Sequence, residues 1–320
     1  MLSLFQEYQS KANIYYAYHT IQRYTDEPFT SYMPEALFNI SRFLMHELLP
    51  GSAVPKGVSR FAVLYALAKQ SRNLGAYKLA RHVLEKIQGL VVPKRFKENV
   101  DLATLMIRAK PYCDNEELLS MCYRCSTTNP LYNGRGGNRC NNCGQPFLHS
   151  FVSFEILPLV EFRLEEGISD REAIMLIESS ATPSADKIRT GDILNMEDSN
   201  NEDPFGQKLF SFQQEGDIFE AVVVNRSALQ SMQPGEVVVA KWPPPLRYRY
   251  FRNLLPDMSV IKCDTCHRMF HTDDYELQLL QKGHCPFCRA PAHFSTGNDN
   301  QSLEGDHFAL TTDQKNSFNL

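Results

Sequence analysis

Eight of the nine cysteines fall into four C-x2-C pairs: Cys122 with Cys125, Cys140 with Cys143, Cys263 with Cys266 and Cys285 with Cys288. A thiolate is a soft, charged donor, and two intervening residues let one tight turn aim both sulfurs at a single point. Two such turns complete a tetrahedron. Fourteen residues lie between the first two pairs and eighteen between the last two. This spacing predicts two separate cages, each holding one structural Zn2+ through four thiolates. It also favours chelation in a reducing compartment over a secreted disulfide scaffold. The ninth cysteine, Cys113, stands alone, reads as a small buried or half-buried thiol and is given no role.

Four thiolates leave no open coordination position for water, so neither cage is expected to be catalytic. Iron–sulfur clusters also take four thiolates, but paired knuckles far apart in sequence are the commoner zinc pattern. Redox C-x2-C motifs open a helix inside a βαβ unit, a context absent here. His267, His271 and His284 are near enough in sequence to compete as ligands in the second cage. Four thiolates already satisfy zinc, so they read as bystanders. No phosphate-binding glycine loop, nucleophile elbow or paired-carboxylate motif accompanies the cysteines.

The knuckles need local positioning. Gly144 relieves the backbone just after the second pair, and Asn133 to Asn138 supplies turn residues at the tip of a zinc ribbon. In the second cluster, Thr272, Asp273 and Asp274 are expected to cap a helix running through Tyr275, Leu277 and Leu280 to Gly283, which is ribbon or treble-clef anatomy. Residues 2–24, 34–49, 57–73, 76–89 and 94–109 read as five amphipathic helices separated by Pro- and Gly-bearing turns. Leu64, Leu67, Gly75, Tyr77, Ala80, Leu84 and Ile87 fall at tetratricopeptide (TPR) spacing, although Ala68 replaces an expected glycine and the closing proline is displaced to Pro93. A simple helical hairpin fits the same residues. Tyr15, Tyr16 and Tyr18 read as packing rather than as a ligand cage.

Beyond the first cluster, Phe151 to Ile156 alternate like a strand and Ser169 is placed to cap a short helix to about Glu178. Strands are expected near 218–225, 236–241, 247–253 and 259–262. The fold class is therefore α+β multidomain: a helical TPR-like solenoid over 1–110, a first zinc-binding module over 111–150, a small mostly-β region over 151–262, a second zinc module over 263–290 and a disordered tail over 291–320. The segment 181–207 is expected to be a mobile acidic loop.

The net charge of −4 conceals a gradient, because residues 1–110 hold 15 Lys and Arg against 8 Asp and Glu while residues 151–320 hold 15 against 26. No dense basic stripe of a nucleic-acid binder emerges. The longest apolar runs fall far short of the roughly 18 residues that span a bilayer, and no secretory leader is read at the start, so the chain is expected to stay on the cytosolic side. The first helix begins almost at once with Leu2, Leu4 and Phe5 and lacks a polar capping repeat, as if further repeats or a partner covered it.

The run Met121-Cys122-Tyr123-Arg124-Cys125 to Cys140-Asn141-Asn142-Cys143, with the following Phe151 to Phe162, resembles the C-terminal region of the intraflagellar transport protein 122 family. So does the segment from Phe205-Gly206 through Cys263-Asp264-Thr265-Cys266-His267-Arg268-Met269-Phe270-His271. The resemblance implies a non-enzymatic scaffold subunit of intraflagellar transport complex A, acting in retrograde transport, cilium assembly and receptor import. It implies other complex A subunits and a tubby-like adaptor protein as partners, no nucleic acid and no membrane span. The implied location is the cilium and its base or basal body, the cytoplasm and the cytoskeleton. Family members carry WD-repeat propellers that are missing here. Two rival readings remain: a RING-like ubiquitin ligase, suggested by Cys285-Pro286-Phe287-Cys288 and the Cys266-to-His271 spacing, and a zinc-ribbon nucleic-acid binder using Arg124, Arg135 and Arg139.

Overall fold

A computed structural model describes residues 2–26, 33–48, 54–134, 137–179, 204–210, 221–242 and 246–291. Five helices come first: α1 (Leu2–Asp26), α2 (Pro34–Glu47), α3 (Arg60–Leu74), α4 (Tyr77–Gln88) and α5 (Lys94–Arg108). Their ends follow local chemistry. Pro34 opens α2, the Ser59 hydroxyl accepts the Ala62 N–H at the start of α3, and Gly75 closes α3 at φ 86°, where a side chain would be strained. The start of α4 has no cap of its own. Asp114 reaches back to accept the Leu79 N–H at 2.9 Å, and the Cys113 carbonyl accepts the Lys78 N–H. Arg81 of α4 in turn donates to the Ile107 carbonyl in the last turn of α5 and to the Pro111 carbonyl just past it, so α4 finishes α5 and the segment after α5 finishes α4.

α2 packs on α3 and α3 on α4, with α1 against α2 and α3 and α5 against α4. Of the residues placed at TPR spacing, Leu64, Leu67, Ala80, Leu84 and Ile87 are buried, while Gly75 and Tyr77 are half-buried. That burial suits a helical hairpin as well as a TPR unit.

After a short turn come two small strands, β1 (Ser120–Met121) and β2 (Thr128–Asn129), paired antiparallel. A four-stranded mixed sheet follows, built from β3 (Leu159–Leu164), β4 (Val222–Val224), β5 (Val237–Ala240) and β6 (Arg249–Asn253) in the order β4-β3-β6-β5. Only the β3–β4 pair is parallel. α6 (Asp170–Ser179) and α7 (Pro204–Phe210) lie between those strands in sequence, and α8 (Arg226–Ser231) follows β4. A last hairpin, β7 (Val260–Lys262) with β8 (Met269–His271), leads into α9 (Thr272–Lys282).

The period of two divides the sheet's side chains. Val160, Phe162 and Tyr250 join Ala173, Phe205 and Leu229 of the three helices, while Leu159, Val238 and Phe251 face Leu157 and Met269. Arg249 forms a two-pronged pair with Glu161 across the strands, at 2.9 and 2.8 Å. Ser169 caps α6 as expected, its hydroxyl accepting the Glu172 N–H, and the Glu172 carboxylate accepts from the Ser169 backbone N–H in return while also pairing with Arg226.

Several expectations are corrected. Residues 151–156 form a tight turn instead of a strand, and the strand in this region is β3, starting at Leu159. Phe151 and Phe154 alternate with polar residues because both rings plug a core, not because the backbone is extended. α9 begins at Thr272 itself after His271, with no side-chain cap, although it does close at Gly283 in the left-handed region. α7 and α8 were not anticipated. Most of the acidic segment 181–207 and nearly all of the tail 291–320 lie outside the described residues, and the former ends inside α7.

Candidate metal centres

The cysteines converge in two groups. Cys122, Cys125, Cys140 and Cys143 place their sulfurs within 4.8 Å of one another, and so do Cys263, Cys266, Cys285 and Cys288. Across the knuckles the sulfurs stand at 3.5 Å for Cys122 and Cys143, 3.6 Å for Cys125 and Cys140, 3.8 Å for Cys263 and Cys288 and 4.0 Å for Cys266 and Cys285. A tetrahedral zinc with Zn–S bonds of about 2.3 Å requires sulfurs about 3.8 Å apart. The donor set and its size therefore fit zinc.

Crowded thiols also shift one another. Cys122 is pulled down to about 5, chiefly because Cys143 donates to it, and Cys285 to about 4, chiefly through Cys266. The donating thiols Cys143 and Cys266 are pushed up correspondingly, with burial adding to the effect. Each quartet thus stabilises negative charge on one sulfur at neutral pH, which a dication would extend to all four. Around Cys140, the Asn142 backbone N–H at 3.4 Å and the Asn129 amide at 3.6 Å point at the sulfur as further donors.

One backbone pattern produces all four knuckles. In each, the N–H of the first cysteine donates to the carbonyl five residues on, and the residue four places on donates back to the first cysteine's carbonyl. The residue that closes the turn has a positive φ: Ser126 at 54°, Gly144 at 70°, His267 at 54° and Arg289 at 61°. Such a φ costs a non-glycine residue about 1 kcal/mol or more, which the surrounding cage must offset.

The same pattern occurs a fifth time without cysteine. Ser150 donates its N–H to Glu155 at 2.9 Å, Phe154 donates to Ser150 at 3.0 Å, and Phe154 has φ 54°. The flanking bridge between His149 and Ile156 matches those between Arg139 and Pro146 and between His284 and Pro291. Ser150 and Ser153 stand where the other knuckles carry cysteine. This metal-free knuckle is held by the burial of Phe151 and Phe154 and by two bonds to β8, the Phe151 N–H to the Met269 carbonyl and the His271 N–H to the Ser150 hydroxyl. Reading for cysteine alone misses it. The signal was S-x2-S inside a segment that mimics the knuckle's length.

The two cages sit in different surroundings. Cys122, Cys140 and Cys143 form a small cluster of their own with Phe147. Cys263 and Cys285 belong instead to the main core, with Ile14, Tyr18, Phe43 and Leu44 of the first two helices and Phe154 and Phe270. Phe287, inside the last knuckle, packs tilted 5.0 Å from Tyr16 of α1 and edge-on 5.4 Å from Phe151. The buried Arg268 guanidinium lies between Phe151 and Phe287, at 5.0 and 4.7 Å, and burial lowers it to about 10.

The three histidines belong to neither quartet. His267 packs edge-on to Trp242 at 5.1 Å, His271 faces Glu155 at 3.5 Å, and His284 turns its Nδ1 to the neighbouring Cys285 carbonyl. Cys113 is exposed, contrary to expectation, because only its backbone is used, at the start of α4. Of the three tyrosines, Tyr18 is in the core, Tyr16 donates to the Phe151 carbonyl and Tyr15 to the Lys56 carbonyl, so they serve packing.

Comparison with known proteins agrees with this geometry. Residues 115–160 match the family model described as the IFT122 zinc ribbon domain, and residues 258–295 match the IFT122 C-terminal zinc ribbon domain. The chain is 50% identical to the human intraflagellar transport protein 122 homolog over 300 residues, 90% of its own length. It belongs to the intraflagellar transport protein 122 family. The zebrafish and Xenopus tropicalis homologs are 49% and 51% identical over 302 and 288 residues. The chain spans about a quarter of the length of these relatives. The first IFT122 ribbon match also covers the cysteine-free knuckle, and together the matches give the chain two zinc ribbon domains whose cysteines are positioned for two Zn2+ ions.

Proposed function

We propose that this chain is a non-enzymatic scaffold segment of intraflagellar transport complex A, with all eight paired cysteines ligating two structural zinc ions. The observation that carries this reading is the placement of the second quartet. Its thiols are built into the same core as α1 to α3, so its metal holds surfaces in position and has no open ligand site for a substrate. In this reading the helices over 1–110 and the mixed sheet within 151–262 are the surfaces, and the cysteine modules over 111–150 and 263–290 are the clasps between them. The partners are other complex A subunits and a tubby-like adaptor. The setting is the cilium and its basal body, with the cytoplasmic and cytoskeletal pools that feed it. The processes served are retrograde transport, cilium assembly and receptor import. No described helix is long and apolar enough to cross a membrane.

The two rivals find less support. A RING cross-braces interleaved ligand pairs, whereas here each quartet is made of two successive pairs and among the described residues no third group of ligands forms. For nucleic acid, Arg124 is only 4% exposed, which removes one of the three arginines from the surface. Zinc-loaded chain used as bait in ciliated-cell extract is expected to retain complex A subunits. Retention of none of them overturns the scaffold reading.

A further inference from the structure

We propose that the outward face of α5 docks an acidic amphipathic helix supplied by another protein. α5 sits on α4 through Phe96, Val100, Ala103 and Ile107. On its far side Leu102, Leu105 and Met106 are 57%, 62% and 48% exposed. With Ala109 they fall at i, i+3, i+4 and i+7, one continuous stripe nearly opposite the buried one. A helix with two apolar faces is the mark of an inner helix. α3 is such a helix, buried on both sides between α2 and α4, whereas among the described helices α5 packs on α4 and, through Phe96 at its start, on Phe61 and Tyr65 of α3, all on its one buried side.

The form and charge of the occupant follow from the face. Helix backbone is already hydrogen-bonded, so α5 offers no strand edge, only ridges of side chains that fit the grooves of another helix. Lys94, Arg95, Arg108 and Lys110 are exposed around the stripe against Glu98 and Asp101. The excess of positive charge continues through residues 1–110. A basic helix is repelled, and an acidic one is steered in and paired at the rim. This inference does not depend on the complex A reading, and failure of the bait experiment leaves it standing.

The probe is a labelled amphipathic helical peptide with leucine on one face and glutamate on the rest, compared with a twin carrying lysine for glutamate. Fluorescence anisotropy with the zinc-loaded chain is expected to show binding of the acidic peptide, weakened by added salt, and at least about tenfold weaker binding of the twin. Leu102→Glu with Leu105→Glu replaces exposed side chains only, so circular dichroism and zinc content should be unchanged while acidic-peptide binding falls at least about tenfold. A milder pair, Leu102→Ala with Leu105→Ala, should show a smaller loss in the same direction. Equal binding of both peptides, or no effect of either pair, overturns the proposal. Self-association abolished by the glutamate pair assigns the face to a second copy. Binding that arises only after deletion of residues 181–203 assigns it to that segment. Either result also overturns an external partner.

Discussion

Destroying the second cage with Cys285→Ser should loosen α1, whereas Cys140→Ser in the first cage should leave α1 unchanged. Each loses a zinc site with apparent binding energy of roughly 10 kcal/mol, most of it folding energy of the ribbon itself. The difference lies in what is attached. Phe287 makes ring contacts with Tyr16 at 5.0 Å and Phe151 at 5.4 Å, and Arg268 lies over both Phe151 and Phe287. The Tyr16–Phe287 pair, about 1 kcal/mol, joins α1 to the ribbon directly, while the Phe151–Phe287 pair and the desolvated cation–π contact, about 3 kcal/mol together, hold the ribbon to the cysteine-free knuckle against which Tyr16 also packs. The first ribbon is tied instead to α2 and α4, through Leu131 and Tyr132, between its two knuckles, against His46, His82 and Lys86, and its cysteines cluster with Phe147. The single tryptophan is well placed to report, since Trp242 sits 5.0 Å from Phe5 of α1 and 5.1 Å from His267 beside Cys266. Cys285→Ser should shift Trp242 emission to the red and speed hydrogen exchange through α1, and Cys140→Ser should do neither. Indistinguishable emission and α1 exchange in the two variants would refute the argument that the second ribbon is part of the main core.

Other outcomes follow from single features. Plasma-emission metal analysis should give two zinc ions per chain, and one in each of the two cysteine variants, because the quartets share no ligand. His46 is held down to about 4, first by burial and then by the Arg42 charge, and His149 to about 3, first by burial. Both are neutral when folded, while in the unfolded chain they take up protons below about pH 6.5. Their contribution is therefore complete above about pH 6.5 and is lost as the pH falls toward about 4. His46→Gln should flatten urea-measured stability against pH in that window by up to about 1.4 kcal/mol per pH unit. Ser126→Gly, at φ 54° in the first knuckle, should raise the denaturation midpoint by an amount worth about 1 kcal/mol, and Gly283→Ala, at φ 71° after α9, should lower it by about the same.

Much of the architecture was legible because its causes are local. The five helices announced themselves through periodicity and the prolines and glycines between them, and the observed limits differ from the expected ones by only a few residues. β4 to β7 were marked by β-branched and aromatic runs. What escaped was what depends on distant partners. α7 and α8 are helices of about two turns each, too brief for a periodic signal, and they persist because Phe205, Leu209, Ala228 and Leu229 are buried against the sheet. Phe151 to Ile156 imitated a strand because two aromatic rings that insert into one core happen to alternate with polar neighbours.

The same division runs through the metal centres. Sequence alone determined that there are two four-cysteine sets and which cysteines belong to each, because a knuckle is closed by hydrogen bonds within six residues and its ligand spacing is a property of the chain itself. Tertiary structure alone decided their standing. It enclosed one quartet in a small cluster and set the other in the core beneath α1 and α2, and it built a fifth knuckle from serine and phenylalanine in which buried rings do the work of a metal. Burial and packing between residues more than a hundred positions apart, such as Tyr16 and Phe287, arise only when the chain closes on itself, and no local spacing encodes them.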